Sequence, residues 1–453
     1  MTRFSAFAAF AIWLWAFPAE AQSVPSKTVV IRHVNVVDVE SGVLLKDQDV
    51  VLYGDRIKSV LPAESKHEYS SASVIEERGR YLIPGPWDCH IHLSWTTPSA
   101  LPLLVALGIT NVRDLGGKFT DLEKWRAQIA DGTLVGPNIM RVGPILNGKS
   151  FNAYQFVPGS AEATRGAVRL LTYLGVDEIK VHRRLPRDWY FAALDESKKL
   201  NIRLVGHIPM EVTPEEASNA GQYMIEHTET LFEGTFSAKL TDADVPAAIK
   251  AWLATDQPDQ LFATFVGNGT WVDPTLSGYL EAADQVDPAI PRDPRYRYVA
   301  ASQLKLASEQ LKQHPLTATE IATMHEHMNE LVDVTARMVK DHVRIVAGTD
   351  AAGPRLVGFS LHVELEDLVR AGMSPLQALQ TATLNPAVAF DRTTDLGTVA
   401  AGKLAELVLL DANPLERIEN TQRIDTVVHN GRVYRRKDLD ALLASAERLA
   451  AEN

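Results

Sequence analysis

Two histidines stand two residues apart after an aspartate in PGPWDCHIHLSW, residues 84–95. In an extended strand successive side chains alternate between faces, so Asp88, His90 and His92 point the same way. Other apolar runs end in groups of similar capacity: EIKVH with Lys180, LVGH with His207, MIEH with His227 and VAGTD with Asp350. Imidazole nitrogens and carboxylate oxygens hold zinc, manganese or cobalt. A lone strand-end histidine is commonly structural, and an aspartate after Gly-Thr commonly caps a helix. Neither explanation covers His90, His92, His207, His227 and Asp350 together. Lys180 is the odd member, because an ammonium cannot ligate a metal. Apolar neighbours and nearby cations lower a lysine's pKa, and its neutral amine can add carbon dioxide. The resulting carbamate is a bidentate anion able to bridge two metals.

These groups need elements that bring them together. Between 84 and 390 short apolar strands alternate with helical stretches: WDCHIHL, GITNVRDL, NIMRVGP, DEIKVHR, IRLVGHI, QYMIEHT, GTWVDPT and VRIVAGTD. Eight strands with helical returns predict an α/β fold of the (β/α)8 TIM-barrel type, whose active site lies where the strands end. A doubly wound sheet is disfavoured, because no glycine-rich phosphate loop follows the first strand. The flanking segments 22–83 and 391–436 are β-rich, with turns at Gly54-Asp55 and Asn430-Gly431. Neither has enough strands alone, so the termini are expected to pair in one small β-sandwich domain with the barrel inserted between its halves. Residues 437–453 read as an amphipathic C-terminal helix.

The 453 residues are 46% hydrophobic and 23% charged, an ordinary globular composition. A net charge of −12 argues against nucleic-acid or anionic-membrane partners. Residues 1–21 carry Arg3, an apolar run and Ala19-Glu20-Ala21, the pattern of a signal peptide cleaved after Ala21. The expectation is a secreted or periplasmic protein, free of the membrane after cleavage. Cys89 is the single cysteine, so no disulfide framework supports the chain.

PGPWDCHIH resembles the P-G-x-x-D-x-H-x-H signature of the amidohydrolase superfamily, and VGH, IEHTE and AGTDAAG resemble its later strand motifs. The stretch from ATLNPAVAF to IDTVVHNGRVY is similar to the segment with which these enzymes re-enter their terminal domain. Within the superfamily, EIKVHRRLPRDWYFAALDESKK and RDLGG look most like the imidazolonepropionase and Xaa-Pro-dipeptidase-like branch. Pro86-Trp87 and Glu406 depart from the usual pattern without touching a ligand position. The resemblance implies two divalent ions, zinc foremost. His90, His92 and Asp350 would hold one ion, and His207 and His227 the other. Lys180, as N6-carboxylysine, would bridge them. It also implies Asp350 as the catalytic acid–base and Asp88 as a supporting group behind the ligands.

His182 follows the Lys180 face and is a candidate substrate contact. So are Arg295 and Arg297, in a long stretch between the seventh and eighth strands. They are read as forks for a substrate carboxylate, against the alternative that they pair with local aspartates. His325 and His327 repeat the H-x-H spacing inside a helical pattern, where i and i+2 do not share a face. Ser94 has no nucleophile elbow around it. The expected function is hydrolysis of a C–N amide bond in a small-molecule substrate, a dipeptide or an N-acyl amino acid. The alternatives are a cyclic amide, a lactone or a xenobiotic amide, and, more remotely, a non-catalytic binding barrel. Homo-oligomerisation stays open.

Overall fold

The computed structural model describes residues 28–63, 69, 72–96, 98–232, 234, 244–287, 290 and 292–452. The expected signal segment, 1–21, lies outside them. Among the described residues no helix is long and apolar enough to cross a membrane.

Both termini enter one eight-stranded sheet. Thr28–Val37, Leu44–Tyr53 and Arg56–Pro62 form an antiparallel meander, turning at Gly54 with φ +63°. Tyr81–Pro84 pairs parallel to the first of these and antiparallel to Leu407–Leu410, so one short strand joins the two ends of the chain. Ser73–Glu76 pairs parallel to the first strand, and Ile424–His429 and Arg432–Arg435 complete the sheet through a turn with Asn430 at φ +49° and Gly431 at +70°. Positive φ at both central residues is what a tight hairpin of this hand requires. The helix Arg436–Glu452 buries Leu439, Ala446 and Ala450 at helical spacing.

Between these halves runs the (β/α)8 barrel. Trp87–Ile91, Asn111–Asp114 and Asn138–Arg141 pair in parallel. Ile179–Val181, Leu204–Gly206, Met224–Glu226, Trp271–Asp273 and Arg344–Ile345 continue the parallel order. The circle closes where Cys89 N donates to Ala347 O at 2.9 Å and Ile91 bridges Ala351. All the strands read from the sequence are present in that order, because strands buried on both faces are written as short apolar runs.

The helices cover the barrel through apolar stripes. Ala161–Tyr173 starts at Ser160, whose hydroxyl accepts from Ala163 N, and buries Thr164, Ala167, Val168 and Leu171. Each large side chain buried this way contributes roughly 1.5–3 kcal/mol.

The barrel interior is not wholly apolar. Arg113 is fully buried; its Nε donates to Glu178 at 2.7 Å and its Nη2 to Glu226 at 3.0 Å. Burial alone would lower the guanidinium's pKa, but the adjoining carboxylates outweigh it and raise it. Removing one member of such a buried set strands the others, at about 3–5 kcal/mol. Arg113→Met should therefore lower the unfolding free energy by about that amount in urea titrations, and Arg113→Met with Glu178→Gln should recover part of it. A loss under about 1 kcal/mol for the single variant would show that the cluster is not held by its ion pairs.

Candidate metal centre and active site

The strand-end groups meet at one end of the barrel. His90 lies next to the end of the first strand, and its Nε2 lies 3.0 Å from Lys180 Nζ and 3.4 Å from Asp350 Oδ1. His92 Nε2 lies 3.1 Å from the same Asp350 oxygen. The His227 ring is 4.8 Å from that of His90 and 4.7 Å from that of His207. Donor atoms of His90, His227 and Asp350 all fall within 4.8 Å of one another. Six residues up to 260 positions apart in the chain thus meet in one cluster.

Backbone geometry makes room for them. A Cβ on Gly348 would sit 2.5 Å from both His90 Cβ and Asp273 Oδ2, so the glycine of AGTD lets the eighth strand pass behind the first. His227, Thr275 and Asp350 hold φ of +68°, +53° and +51°, a region costly for non-glycine residues and concentrated at functional sites.

Three of the four imidazoles are held by their other nitrogen. His90 Nδ1 faces Asp273 Oδ2 at 3.0 Å, His92 Nδ1 faces Gly116 O at 2.9 Å, and His227 Nδ1 faces Thr275 Oγ1 at 2.8 Å. These contacts leave the Nε2 atoms toward the shared space, the arrangement that orients metal-ligating histidines. His207 Nδ1 is buried without a hydrogen-bond partner among the described residues. Burial pushes the pKa of His90, His207 and His227 below the usual imidazole value, so all three favour the neutral, ligating form. Burial also brings Lys180 down to about 8. Asp350 is opposed by burial, but the His92 hydrogen bond and the neighbouring His90 and His227 outweigh it and hold the carboxyl well below its ordinary range. Neutral imidazoles, an ionised carboxylate and an unpaired buried nitrogen are a donor set that fits divalent metal. Asp88 accepts from Thr349 Oγ1 at 2.8 Å and His90 N at 3.1 Å, so it ties the first strand to the eighth from behind the donors.

A cavity of about 240 Å³ opens over this cluster, lined below by His207, His227 and Asp350 and at the side by His182. The His182 ring stands 4.1 Å from that of His207, and burial lowers its pKa to about 3. Arg183, Glu229, Tyr279 and Arg355 complete the wall, with Tyr279 donating to Glu229 at 2.6 Å.

Arg295 and Arg297, expected as substrate forks, are not among the residues that line this cavity. Asp293 caps the short turn Pro294–Tyr298 and folds the Arg295 guanidinium back onto itself, with Nη2 at 2.6 Å. Arg295 lies 5.5 Å from the centre of the Phe359 ring, in a separate cavity of about 950 Å³. Arg297 lies over Tyr298 and 3.7 Å from Glu447. His325, on the helix Ala318–Lys340, faces Asp287 at 3.4 Å and takes no part in the floor.

The amidohydrolase family model matches residues 273–434. That stretch, from the seventh barrel strand into the terminal sheet, is similar to the amidohydrolase family. Ochratoxinase of Aspergillus niger is 24% identical over 418 residues, spanning 81% of this chain and 78% of its own. Adenine deaminase of Rubrobacter xylanophilus is 24% identical over 418 residues, spanning 89% of this chain and 57% of its own. Among solved structures, a Xaa-Pro dipeptidase with bound methionine superposes with a TM-score of 0.68 at 20% identity, covering 90% of this chain and all of that one. That last likeness is one of fold.

Sequence reasoning missed several groups that the structure places at the candidate site: Asp273 behind His90, and Arg183, Glu229, Tyr279 and Arg355 on the cavity wall. The signal for the first was an acid inside the apolar strand WVDPT. Loop residues such as Arg355 carried none. Asp273→Asn removes the carboxylate that orients His90, and should weaken divalent-metal affinity by about 10–100-fold in chelator competition. Unchanged affinity would mean that Asp273 merely fills space.

Proposed function

We propose that the chain is a metal-dependent hydrolase of the C–N amide bond in a small substrate, a dipeptide or N-acyl amino acid. The observation that carries this reading is the convergence of His90, His92, Lys180, His207, His227 and Asp350 in one cluster, three of whose members, His207, His227 and Asp350, line the cavity. In the reading, His90, His92 and Asp350 hold one divalent ion and His207 and His227 a second. Lys180 would complete the ligand set once its amine adds carbon dioxide, which forms an N–C bond and releases a proton. When bound, such ions supply Lewis acidity toward the substrate carbonyl and make water more acidic.

The remaining chemistry belongs to the chain's own side chains. Asp350, kept ionised by its histidine neighbours, is placed to take a proton from the attacking water and deliver it to the leaving nitrogen. His182, beside His207, borders the reacting end of the cavity. Arg183 and Arg355 offer guanidinium groups at the wall, and Arg355 Nη1 is anchored on Gly278 O. A substrate carboxylate seated there would hold the scissile amide over the histidines, saving orientational entropy. Cationic wall residues favour a free-acid substrate over a neutral cyclic amide or lactone.

The direct test screens protein expressed with zinc and bicarbonate against dipeptides and N-acyl amino acids, with metal counted in the same samples. Close to two ions per chain are expected. Lys180→Ala should lose activity and at least one ion, whereas Asp350→Asn should keep most metal and lose about 10²–10⁴ in kcat. Full activity in Lys180→Ala would sink the ligand role of Lys180, and metal loss in step with activity in Asp350→Asn would leave the base role without support.

A second expectation concerns the wall. Amidating the substrate's free carboxylate should cost about 1.5–3 kcal/mol in kcat/KM, the worth of a charge-assisted hydrogen bond, and Arg355→Met should erase that discrimination with metal content unchanged. Equal hydrolysis of free-acid and amidated substrates by the parent enzyme would turn the search to neutral amides.

A further inference from the structure

The segment after the third barrel strand carries two aromatic rings, each linked by ring contacts to a histidine of the cluster. Tyr154 stacks on Trp95 at 5.7 Å, and Trp95 stacks on His92 at 4.5 Å. Phe151 lies 6.3 Å from His182, which is itself 4.1 Å from His207. Phe151 is therefore one ring removed from the floor of the site.

The loop that carries Phe151 is strapped down. Phe151 N donates to Gln155 Oε1 at 3.0 Å, Asn147 Nδ2 donates to the same oxygen at 3.2 Å, and Tyr154 N donates to Asn152 Oδ1 at 2.9 Å. Tyr154 Oη donates to Ser94 O at 3.0 Å. A Cβ on Gly148 would stand 2.1 Å from Arg184 O, so this glycine lets the loop lie directly on the chain that follows the fourth strand. The Arg184 guanidinium then rests 4.6 Å from the centre of the Phe151 ring.

Despite these restraints Phe151 remains 49% exposed. A phenylalanine on a mobile loop could turn inward to bury its surface, but this backbone is pinned by its own hydrogen bonds and by the contact at Gly148. Arg184 satisfies part of the ring and leaves the rest open beside His182. Aromatic rings attract one another beyond the area they bury, and a face already carrying a guanidinium is a receptive partner for a second ring.

We propose that Phe151, with His182 beside it, forms a subsite for an aromatic group carried by the substrate next to the scissile amide. This deepens the amide-hydrolase reading and rests on it. An N-aroyl amino acid would seat its ring against Phe151, whereas an N-acetyl analogue leaves the subsite empty.

The test compares N-benzoylglycine with N-acetylglycine on the full chain prepared with zinc and bicarbonate, as parent, Phe151→Ala and Phe151→Tyr. Affinity is read by calorimetry alongside kcat/KM. The parent should prefer the benzoyl compound in both measures. Phe151→Ala should reduce that preference about 2- to 12-fold, the usual worth of an aromatic pair, with the acetyl compound changed less than about twofold. Phe151→Tyr, which keeps the ring, should retain the preference, and the melting temperatures should coincide. If neither compound is hydrolysed while the affinity preference survives and falls in Phe151→Ala, the subsite stands and amide hydrolysis of these compounds does not. Equal affinity of the parent for both, or a preference indifferent to Phe151→Ala, overturns the proposal.

Discussion

Inside the barrel, beneath the histidines, a single guanidinium faces two carboxylates at hydrogen-bonding distance, and a third lies beyond them. Arg113 binds Glu178 and Glu226, and Glu226 in turn crowds Asp273 against His90. Burial and the nearby Glu226 push the Asp273 carboxyl well above its ordinary pKa, while Glu226 is held down, first against burial, by Arg113. Charge is thereby allotted: Glu226 stays ionised beside the guanidinium, and Asp273 is the acid driven toward carrying a proton. This order reaches the site through His90, whose Nδ1 rests on Asp273 while its Nε2 looks toward Lys180 and Asp350. The buried ion cluster is thus joined to the site by the contact of Asp273 with His90.

That arrangement also separates two functions that a barrel end must combine. The strands supply rigidity: His90 and Lys180 lie within fully buried strands, and His92, His207 and His227 are the first residues beyond such strands. The loops supply the cavity wall, where Arg183, Glu229, Tyr279 and Arg355 stand. Strand-borne groups can be oriented closely by second partners such as Thr275 and Gly116, while loop-borne groups can be exchanged without disturbing them.

The same division decides what could be read from the sequence. The barrel strands, their order and the six floor residues were legible because burial on both faces writes a strand as an apolar run, and a polar residue at its end stands out. Arg113, Glu178 and Glu226 were visible as charges inside such runs, but their partners were not, because pairing across a barrel depends on which inward positions share a layer. Arg295 and Arg297 show the opposite failure. Their cluster was plain in the sequence, yet its direction was set by Asp293, a local cap that turned one guanidinium back on its own turn. Arg355, five residues beyond Asp350 in a loop, had no periodicity to betray it.

The short strand Tyr81–Pro84 has one neighbour near the start of the chain and another, Leu407–Leu410, more than 300 residues later. A ribosome making about 5–20 residues per second delivers the second partner some 15–60 s after the first. For that interval the strand offers an unpaired edge, and the N-terminal meander, though its own hairpins are local, cannot complete its sheet. The first barrel strand follows directly from this edge, and its own closing partner at Ala347–Ala351 is also late. Completion of the terminal sheet and closure of the barrel are thus both deferred to the end of synthesis, and a nascent chain stalled before residue 407 carries the histidines of the floor without the sheet that joins its ends.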